Sequence, residues 1–549
     1  MKKSLFLIPI AALAMASCSS EEPVVNNPSL PTDAEGNVYL TFGLVNSTGL
    51  TTRADEEFQA GSGAESKISK VRFLFFDKND NPAAVKFNGA DAVASNWYDY
   101  DPTAEGGAGT DEAVPPLAPN VEQIVNATIV LNTKDFTDQN YPTQVVALIN
   151  PTQDLGKNLS LADLKSQVSN YTVDDQNGFL MSSSVYAENS KAVLTVDVAT
   201  SFYSDKETAL QHPVTLYVDR VAAKVVLGIS VAPTRTNLYP TGQKDYNGND
   251  IYVDIEGWNV TTTVGKTNLI KNINTAWNFD WAWNWAENHR SYWAVNPTLG
   301  SNDYSYTAWS DAAKKTVGTG AAYLRENASN DFATGNDPVR ASQVILYGTL
   351  CNADGTPLPL VEYKMLKYNP NDINQIVYNT LGQKIYKEDG SEINPSEDIV
   401  FVTSTKVGKN TTAAEPNWKG TGTYYVYAQL KAGNKYSYST DGTDQTAQIN
   451  TNLINTCGPV KYWNGGATYY YVDIAHLNPN TEGKPGAHGI VRNHLYDIDV
   501  TNLVGLGTPV YDKDEEIVPE HPVEDYGMVA AQINVLSWKV VKQSADLEW

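Results

Sequence analysis

The sequence predicts a mainly β protein built as two tandem domains with long loops and few short helices. The composition is one observation: the chain has 32 Tyr and 12 Trp but only 5 Met and 6 His, and aromatic and β-branched residues favour strands. The length is another, because 549 residues leave room for two domains of generous size. The last is a series of short apolar segments with period-two alternation between Gly-, Pro- and Asn-rich turns.

The N-terminus has the features of a bacterial export signal. Lys2 and Lys3 precede an apolar stretch at residues 5–14 that is too short to span a bilayer as a mature helix. The small residues that follow end in Cys18, and this run resembles a bacterial lipobox. We therefore predict a lipoprotein signal peptide over residues 1–18, with acyl chains on Cys18 as a stable anchor. The alternative is a plain secretory signal with an incidental cysteine.

A short amphipathic strand then leads into a loose loop that ends in a basic residue. Its apolar residues alternate with polar or small ones and share one face: Val38, Leu40, Phe42 and Leu44. Apart from Leu50, residues 47–52 are small and polar or Gly, and Arg53 and Ala54 follow. A trypsin-like protease needs an exposed, extended loop with a basic residue at the cut, so this loop predicts cleavage between Arg53 and Ala54.

Cleavage at that bond would release residues 19–53 as a propeptide, made of a tether and a removable strand. The core that the strand leaves would be open, and an open sheet edge above an apolar groove can accept another strand. The alternative is an ordinary first strand followed by an uncut surface loop.

The next part of the chain predicts an N-terminal β-sandwich over residues 54–231. Ser160 is expected to cap a short helix over residues 161–170. Residues 89–119 are expected to form a surface excursion because they are polar and rich in Gly and Pro. The strands are predicted at residues 68–77, 85–87, 121–131, 143–150, 179–185, 192–198 and 214–229.

A junction at residues 232–250 leads to a predicted C-terminal β-sandwich over residues 232–510. Its strands are predicted at residues 251–263, 344–350, 399–407, 424–430, 469–474 and 495–501. Long loops between them are rich in aromatic residues, above all Trp277, Trp281, Trp283, Trp285 and Trp293. Core and loop packing is the expected role of these tryptophans, and stacking on sugar rings is the alternative.

Residues 511–549 are predicted to form an acidic linker followed by a C-terminal donor strand. Residues 511–527 are acidic and contain Pro, so we expect them to stay extended and solvated. The strand over residues 528–541 has an apolar row that slips by one residue, as at a bulge. That row is Val529, Ala531, Ile533, Val535, Leu536, Trp538 and Val540. The alternative is a last strand that folds back onto the second sandwich.

Charge and motifs exclude several classes of function. A formal net charge of −24 opposes binding to nucleic acid or to an anionic membrane surface, so the membrane is expected as a partner only through the lipid. The six His residues show no metal-ligand spacing, and neither a nucleophile elbow nor a P-loop occurs. We therefore predict no enzyme, no catalytic residue, no metal and no cofactor. Cys351 and Cys457 are predicted either to form a disulfide or to be buried free thiols.

Five segments together resemble one family. They are the strand followed by TTR-ADEE at Arg53, TLYVDRVAAKVVL at residues 215–227, HRSYW at 289–293, GIVRNHLYDIDV at 489–500 and INVLSWKV at 533–540. With the lipobox at Cys18, they resemble the major fimbrial subunits of Bacteroidales type V pili, and most closely the major pilin of the short, or minor, fimbriae.

The resemblance implies two transthyretin-like β-sandwiches and a stalk subunit that polymerises. The precursor would be an outer membrane lipoprotein, and an arginine-specific protease would cut after Arg53. A neighbouring copy would then insert its C-terminal strand, so that a head-to-tail filament grows at the cell surface and supports adhesion and biofilm formation. Tip and anchor subunits and a host or bacterial surface receptor are the further partners that the resemblance implies.

Two other functions remain open from the sequence. A surface glycan-binding lipoprotein would suit the acidic, aromatic-rich β-sandwiches, but it needs neither Arg53 beyond a detachable strand nor a C-terminal strand on a linker. A tip or anchor subunit is the other alternative. A tip subunit would accept a strand without donating one, so the C-terminal donor pattern favours the stalk.

Overall fold

The computed structural model describes residues 34, 37–47, 61, 63–83, 86–87, 95–102, 121–132, 141–156, 158–170, 178–188, 191–235, 237–273, 294–297, 304–311, 313–328, 341–403, 425–474, 476, 489–518 and 539–548. In these residues the chain forms 33 strands and a few short helices. The predicted mainly β class is therefore confirmed.

The N-terminal half contains twelve of the strands and three short helices. The strands are β1 (Asn37–Ser47), β2 (Val71–Phe76), β3 (Lys86–Phe87), β4 (Trp97–Tyr100), β5 (Val121–Asn132), β6 (Gln144–Ile149), β7 (Val168–Ser169), β8 (Met181–Ser183), β9 (Tyr186–Glu188), β10 (Lys191–Val193), β11 (Val196–Asp197) and β12 (Val214–Arg220). The helices are α1 (Gly63–Ser66), α2 (Leu161–Ser166) and α3 (Lys206–Gln211). Nine strands form one network in the order β3-β5-β1-β12-β8-β6-β2-β4, with β11 on β6.

Strand β2 shows how the alternation of side chains builds this half of the molecule. Phe73 and Phe75 lie in the large apolar cluster that also contains the buried residues of β1. Leu74 and Phe76 point to the opposite face, where they pack in a second cluster with Leu161 of α2. Because successive residues of a strand face opposite ways, both faces of β2 are covered.

Helix α2 begins where its cap predicts and ends earlier than expected. The Ser160 hydroxyl oxygen accepts a hydrogen bond from the backbone N–H of Asp163 at 3.1 Å, which satisfies one of the free donors of the first turn. The helix ends at Ser166, and Val168 lies in β7 instead of on the helix. The prediction of a helix over residues 161–170 is therefore correct at its start and wrong at its end.

The C-terminal half contains the remaining strands. They are β13 (Ala223–Ile229), β14 (Leu238–Lys244), β15 (Asp250–Thr261), β16 (Thr263–Val264), β17 (Thr267–Asn268), β18 (Tyr304–Ser305), β19 (Ala321–Leu324), β20 (Asn327–Ala328), β21 (Gln343–Cys351), β22 (Leu360–Tyr363), β23 (Leu366–Tyr368), β24 (Tyr386–Lys387), β25 (Ile399–Thr403), β26 (Val426–Leu430), β27 (Tyr436–Ser437), β28 (Lys461–Trp463), β29 (Ala467–Asp473), β30 (Gly489–Ile490), β31 (His494–Val504), β32 (Thr508–Pro509) and β33 (Lys539–Glu548).

Two of the sheets in this half face each other across an apolar core. One has the order β19-β13-β31-β33 and the other has the order β14-β15-β21-β29-β32. Buried residues from both sheets meet between them, among them Val225, Val253, Leu346 and Ile498. Alternate residues of each strand enter this core, which is the arrangement of a β-sandwich.

The predicted strand over residues 214–229 is two strands in two different sheets. β12 ends at Arg220 in the N-terminal network, and β13 starts at Ala223 in the C-terminal sheet beside β31 and β19. Both strands are apolar and continuous in sequence, so their local pattern contains no sign of the change of sheet. The prediction of a single strand is wrong, because tertiary pairing divides it.

A partly helical lobe between β22 and β28 was not predicted. It contains α4 (Pro370–Leu381), α5 (Pro395–Asp398) and α6 (Thr446–Asn452), followed by a π-helical turn at Leu453–Cys457; a short 3₁₀ turn, Asn464–Gly466, comes directly after β28. Its own apolar cluster includes Ile373, Val377 and Ile449. The lobe therefore has a core separate from the one between the two sheets.

Two expectations about loops have different outcomes. The surface excursion over residues 89–119 contains β4, which pairs with β2, and the Arg72 guanidinium contacts the Asp99 carboxylate at 2.7 Å. That part of the excursion belongs to the sheet. The tryptophans between Trp277 and Trp293 lie outside the described residues.

Among the helices of the described residues, none is long and apolar enough to cross a membrane.

Candidate functional site: the β1 groove

The first strand lies inside a sheet, with neighbours along both of its sides. On one side β1 pairs antiparallel with β5, from Asn37 opposite Asn132 to Ser47 opposite Val121. On the other side it runs parallel to β12, with Phe42 opposite Val214. We call the space between β5 and β12 that β1 occupies the β1 groove. If β1 left, both neighbouring strands would have unpaired backbone groups along one edge.

The apolar face of β1 is part of the N-terminal core. Val38, Leu40 and Phe42 are each 0% exposed. The Phe42 ring stacks on that of Phe73, with a centroid distance of 4.6 Å and an interplanar angle of 19°. At ~1.5–3 kcal/mol for each fully buried side chain, these three contribute roughly 5–9 kcal/mol of burial free energy. For Leu44 the structure describes the backbone, which pairs with Val125 and Leu216.

The N-terminal half of β1 is held by the chain that leads into α3. The backbone N–H of Tyr39 donates to the Tyr203 carbonyl oxygen at 2.7 Å, and the Tyr203 N–H donates back at 2.9 Å. Asp205 then caps α3 by accepting from the Thr208 N–H at 2.8 Å. Two hydrogen bonds from Thr208 lower the pKa of the Asp205 carboxyl, and the one from the Thr208 backbone has the larger effect. The Asp205 cap therefore stabilises the first turn of helix α3 beside β1.

The chain that follows the predicted cleavage loop is fixed at α1. The Arg220 guanidinium donates from Nε to the Glu65 carbonyl oxygen at 2.8 Å and from one terminal nitrogen to the Ser66 hydroxyl at 3.3 Å. The Glu65 carboxylate, 1% exposed, forms an ion pair with Lys224 at 2.8 Å. The predicted cleavage loop thus lies between two anchored elements, β1 and α1.

Residues 491–496 of the segment GIVRNHLYDIDV have the pattern VRN-x-x-Y, and this motif lies at the junction between the two halves of the molecule. Arg492 donates to the Glu326 carboxylate at 2.6 Å, and both side chains are buried. Asn493, at φ 58°, accepts from Arg220 at 3.3 Å through its side-chain oxygen. The Tyr496 hydroxyl accepts from the Val491 N–H at 2.8 Å. The motif on which the resemblance depends therefore has a structural role.

The predicted processing and donor residues lie largely outside the described part of the chain. This holds for Cys18, Arg53 and Ala54 and for six residues of the predicted donor row: Val529, Ala531, Ile533, Val535, Leu536 and Trp538. Val540 is described through its backbone, which lies in β33. Lipidation, cleavage and strand donation stay predictions.

The end of the chain folds back onto the C-terminal sheet. β33 runs parallel to β31, from His494 opposite Lys539 to Val504 opposite Glu548. It lies at the edge of its sheet, with β31 as its neighbour on one side. Residues 542–548 were expected to follow the last strand, and instead they are part of it. In this structure the alternative of a strand that folds back applies to residues 539–548.

The two body cysteines are buried free thiols and form no disulfide. Cys351 lies in β21, and Cys457 lies in the π-helical turn of the separate lobe. Burial raises the pKa of the Cys351 thiol to about 11, and burial also raises the pKa of Cys457. Of the two alternatives predicted from the sequence, the structure contains free thiols. Within the described ranges no group of His, Cys, Asp and Glu is arranged to hold a metal ion.

Several residues that hold the β1 groove and its surroundings in place could not be recognised from the sequence. Glu65, Glu326 and Tyr203 are each isolated in sequence from the partners that give them their roles. The Asp205 cap did carry a local signal, since Asp followed by a short helical segment is typical of a helix start.

The C-terminal part of the chain matches a known family. Residues 461–544 match the family model described as the C-terminal part of fimbrillin, the major fimbrial subunit protein type IV. The matched stretch runs from β28 through β31 and into β33. This part of a mainly β protein is therefore similar to fimbrial subunits.

Three solved structures of fimbrial proteins are among those to which the chain is similar. A fimbrilin from Porphyromonas gingivalis W83 has 12% identity over 93% of this chain and 97% of its own, with a TM-score of 0.36. A fimbrial assembly protein from Parabacteroides distasonis has 12% identity over 60% and 85%, with a TM-score of 0.27. The tip fimbrial protein Mfa3 from Porphyromonas gingivalis has 11% identity over 60% and 80%, with a TM-score of 0.26. No curated protein matches the chain.

Proposed function

We propose that this protein is a structural subunit of a surface fimbria that polymerises by strand exchange after cleavage at Arg53. The observation that carries the proposal is the place of β1: an internal strand with three fully buried side chains, supplied by the chain just before the predicted cleavage loop. The family match over residues 461–544 supports the fimbrial class. The finer assignment, to the stalk pilins of type V short fimbriae, belongs to the same proposal.

The β1 groove has the properties that a strand acceptor needs. β5 and β12 both end up with free backbone donors and acceptors when β1 leaves, and a single inserted strand can satisfy both. The groove is lined by apolar residues of the N-terminal core, so an incoming strand with apolar alternation restores the burial that was lost. A strand held by two ladders in a closed groove dissociates slowly.

The donor in this proposal is the C-terminal strand of a neighbouring copy. Its predicted apolar row runs from Val529 to Val540. In the uncleaved chain, β33 is held by β31 along one side, whereas a strand in the β1 groove has a neighbour on each side. Insertion into the β1 groove gives the donor strand backbone partners on both of its sides, and this double pairing favours exchange in the proposal.

Cleavage supplies the trigger. In the proposal the precursor reaches the outer surface as a lipoprotein anchored through Cys18, and an arginine-specific protease cuts between Arg53 and Ala54. Because α1 is fixed by Arg220 and Lys224, the body keeps its fold around the cut while β1 becomes free to leave. Successive insertion makes a head-to-tail filament. Tip and anchor subunits and a surface receptor would complete the appendage.

The test uses lipid-free precursor and an arginine-specific protease, compared with Arg53→Lys, which keeps the positive charge but removes the cleavage site. Ladders that resist SDS and filaments in electron micrographs are expected from the wild type and not from Arg53→Lys. Deleting residues 528–549 should abolish the ladders without preventing the cut. Clean cleavage at Arg53 that leaves only monomer would overturn strand exchange.

A further inference from the structure

The first part of the acidic linker is fastened to the C-terminal core. The backbone N–H of Ile517 donates to the Thr307 carbonyl oxygen at 2.7 Å, and the Ser310 N–H donates to the Lys513 carbonyl oxygen at 2.9 Å. Residues 511–518 therefore lie alongside residues 307–310. Hydrogen bonds at Lys513 and Ile517 fasten this segment to the core, so the prediction of a solvated linker is wrong at its buried end, Ile517 and Val518.

Two aliphatic side chains anchor the segment. Ile517 is 0% exposed and belongs to an apolar cluster with Trp309 and Tyr347, and Val518 is 4% exposed. The Thr261 hydroxyl donates to the Ile517 carbonyl oxygen at 3.0 Å. The cluster covers the face of the five-stranded sheet that is turned away from the sandwich core. Ile517 of the linker is therefore part of the apolar cluster on this outer face of the sheet.

The segment packs against the indole ring of Trp309. Its indole Nε1 donates to the Thr468 carbonyl oxygen at 3.0 Å, which fixes the ring. The Lys513 ammonium lies 4.2 Å from the centroid of that ring, a cation–π contact. Upstream, the Asn464 amide donates to the Tyr511 carbonyl oxygen at 2.9 Å. Contacts therefore run from one end of the segment to the other.

We propose that residues 511–518 act as a clamp that sets how far the C-terminal strand can reach toward a second copy of this chain. Trp309 and Ile517 are its positioning residues. This inference rests on the proposed strand exchange. The length of chain available to the donor strand is then counted from Val518 and not from Tyr511.

The clamp shortens the reach of the donor strand by about two-fifths. An extended chain spans at most ~3.3–3.6 Å per residue. From Val518 to Met528 the chain advances about ten residues, or at most roughly 33–36 Å. From Tyr511 it would advance about seventeen residues, or at most roughly 56–61 Å. A donor strand with this shorter reach can enter only a neighbouring copy that is docked close to the outer face of the five-stranded sheet.

The first experiment measures reach by deletion. Residues are removed progressively from 519–527 in three backgrounds: wild type, Ile517→Asp, which releases the clamp, and Asp514→Ser, an exposed control in the same segment. After cleavage at Arg53, ladders are scored for each length. We expect Ile517→Asp to tolerate about seven more deleted residues than the wild type and Asp514→Ser, because the released segment adds that length. Equal tolerance in all backgrounds would overturn the clamp.

A second experiment is independent of polymerisation. Hydrogen exchange of the uncleaved monomer is followed by mass spectrometry in peptides that cover residues 511–518. Exchange at the amide of residue 517 should be at least about 10-fold faster in Ile517→Asp than in the wild type or in Asp514→Ser, because this amide loses its bond to the Thr307 carbonyl oxygen and becomes exposed. Fast exchange in the wild type would overturn the clamp even where ladders form. Slow wild-type exchange without any ladders would leave the clamp standing and overturn the strand exchange instead.

Discussion

Phe42 shows most clearly what β1 contributes to the precursor. Its ring is fully buried and stacked on Phe73, so truncation removes apolar contact and leaves a cavity. We expect Phe42→Ala to lower the free energy of unfolding of the uncleaved chain by about 3–5 kcal/mol, measured by chemical denaturation.

Leu210→Ala is the control for that substitution. Leu210 lies on α3 near β1 but is 46% exposed, and we expect its loss to change the free energy of unfolding by at most about 0.5–1 kcal/mol. Under strand exchange the filament no longer contains Phe42, so Phe42→Ala should leave the stability of cleaved polymer unchanged. A polymer destabilised as much as the precursor would mean that β1 stays in its groove.

The two body thiols give a second prediction for individual residues. A raised pKa means that the thiol stays protonated up to a higher pH, and the Cys351 pKa is about 11 because of burial. At pH 8 the thiolate, which is the reactive form, is scarce and shielded. In a chain without residues 1–18, we expect Ellman's reagent to detect no fast-reacting thiol in the native protein and two thiols in non-reducing denaturant. Fewer than two in denaturant would indicate a disulfide.

At the scale of elements, the two terminal strands differ in how they are held. β1 has a ladder on each side and buried side chains, whereas β33 has β31 on one side and lies at a sheet edge. An edge strand opens with a smaller free energy than an internal strand. The proposed exchange would use this difference where the donor row enters β33, at residues 539–540.

Hydrogen exchange of the uncleaved monomer tests that difference. We expect amides in Lys539–Glu548 to exchange at least about 100-fold faster than those in Asn37–Ser47, because they require only local opening at an edge. The internal strand β21 serves as the slow reference. Equal protection in β1 and β33 would contradict a C-terminal strand that opens more easily than β1.

Helices α2 and α4 illustrate what local signals can and cannot predict. Both have caps: Ser160 for α2, and Asn369 with Pro370 and the left-handed Gly382 for α4. The cap of α2 was sufficient to predict its start. For α4 the same kind of signal is present in the sequence, but no helix was predicted there. The end of α2 could not be predicted, because Val168 joins β17 through tertiary pairing.

At the scale of the whole molecule, charge should govern how quickly copies meet. The full chain carries a formal net charge of −24, and like charges repel over a distance that salt shortens from ~30 Å at 0.01 M to ~8 Å at 0.15 M. We expect ladder formation after complete cleavage to be at least about threefold faster at 0.15 M than at 0.01 M NaCl. Potassium chloride should have the same effect. A rate that falls with salt would indicate complementary charged patches between copies.

The sequence by itself determined the features that depend on neighbouring residues. Alternation at Val38, Leu40 and Phe42 predicted a strand with one buried face, Ser160 predicted a helix start, and composition predicted the mainly β class. These features are local, because backbone preference, capping and side-chain period act within a few residues.

Only the tertiary structure decided which elements meet. It places β1 between β5 and β12, divides the run at residues 214–229 between two sheets, lays β33 on β31 and buries Ile517 of an acidic linker. An alternating row specifies that a face will be covered, but it does not specify which strand covers it. That choice depends on the summed burial and pairing of residues far apart in the chain, such as Asn37 opposite Asn132.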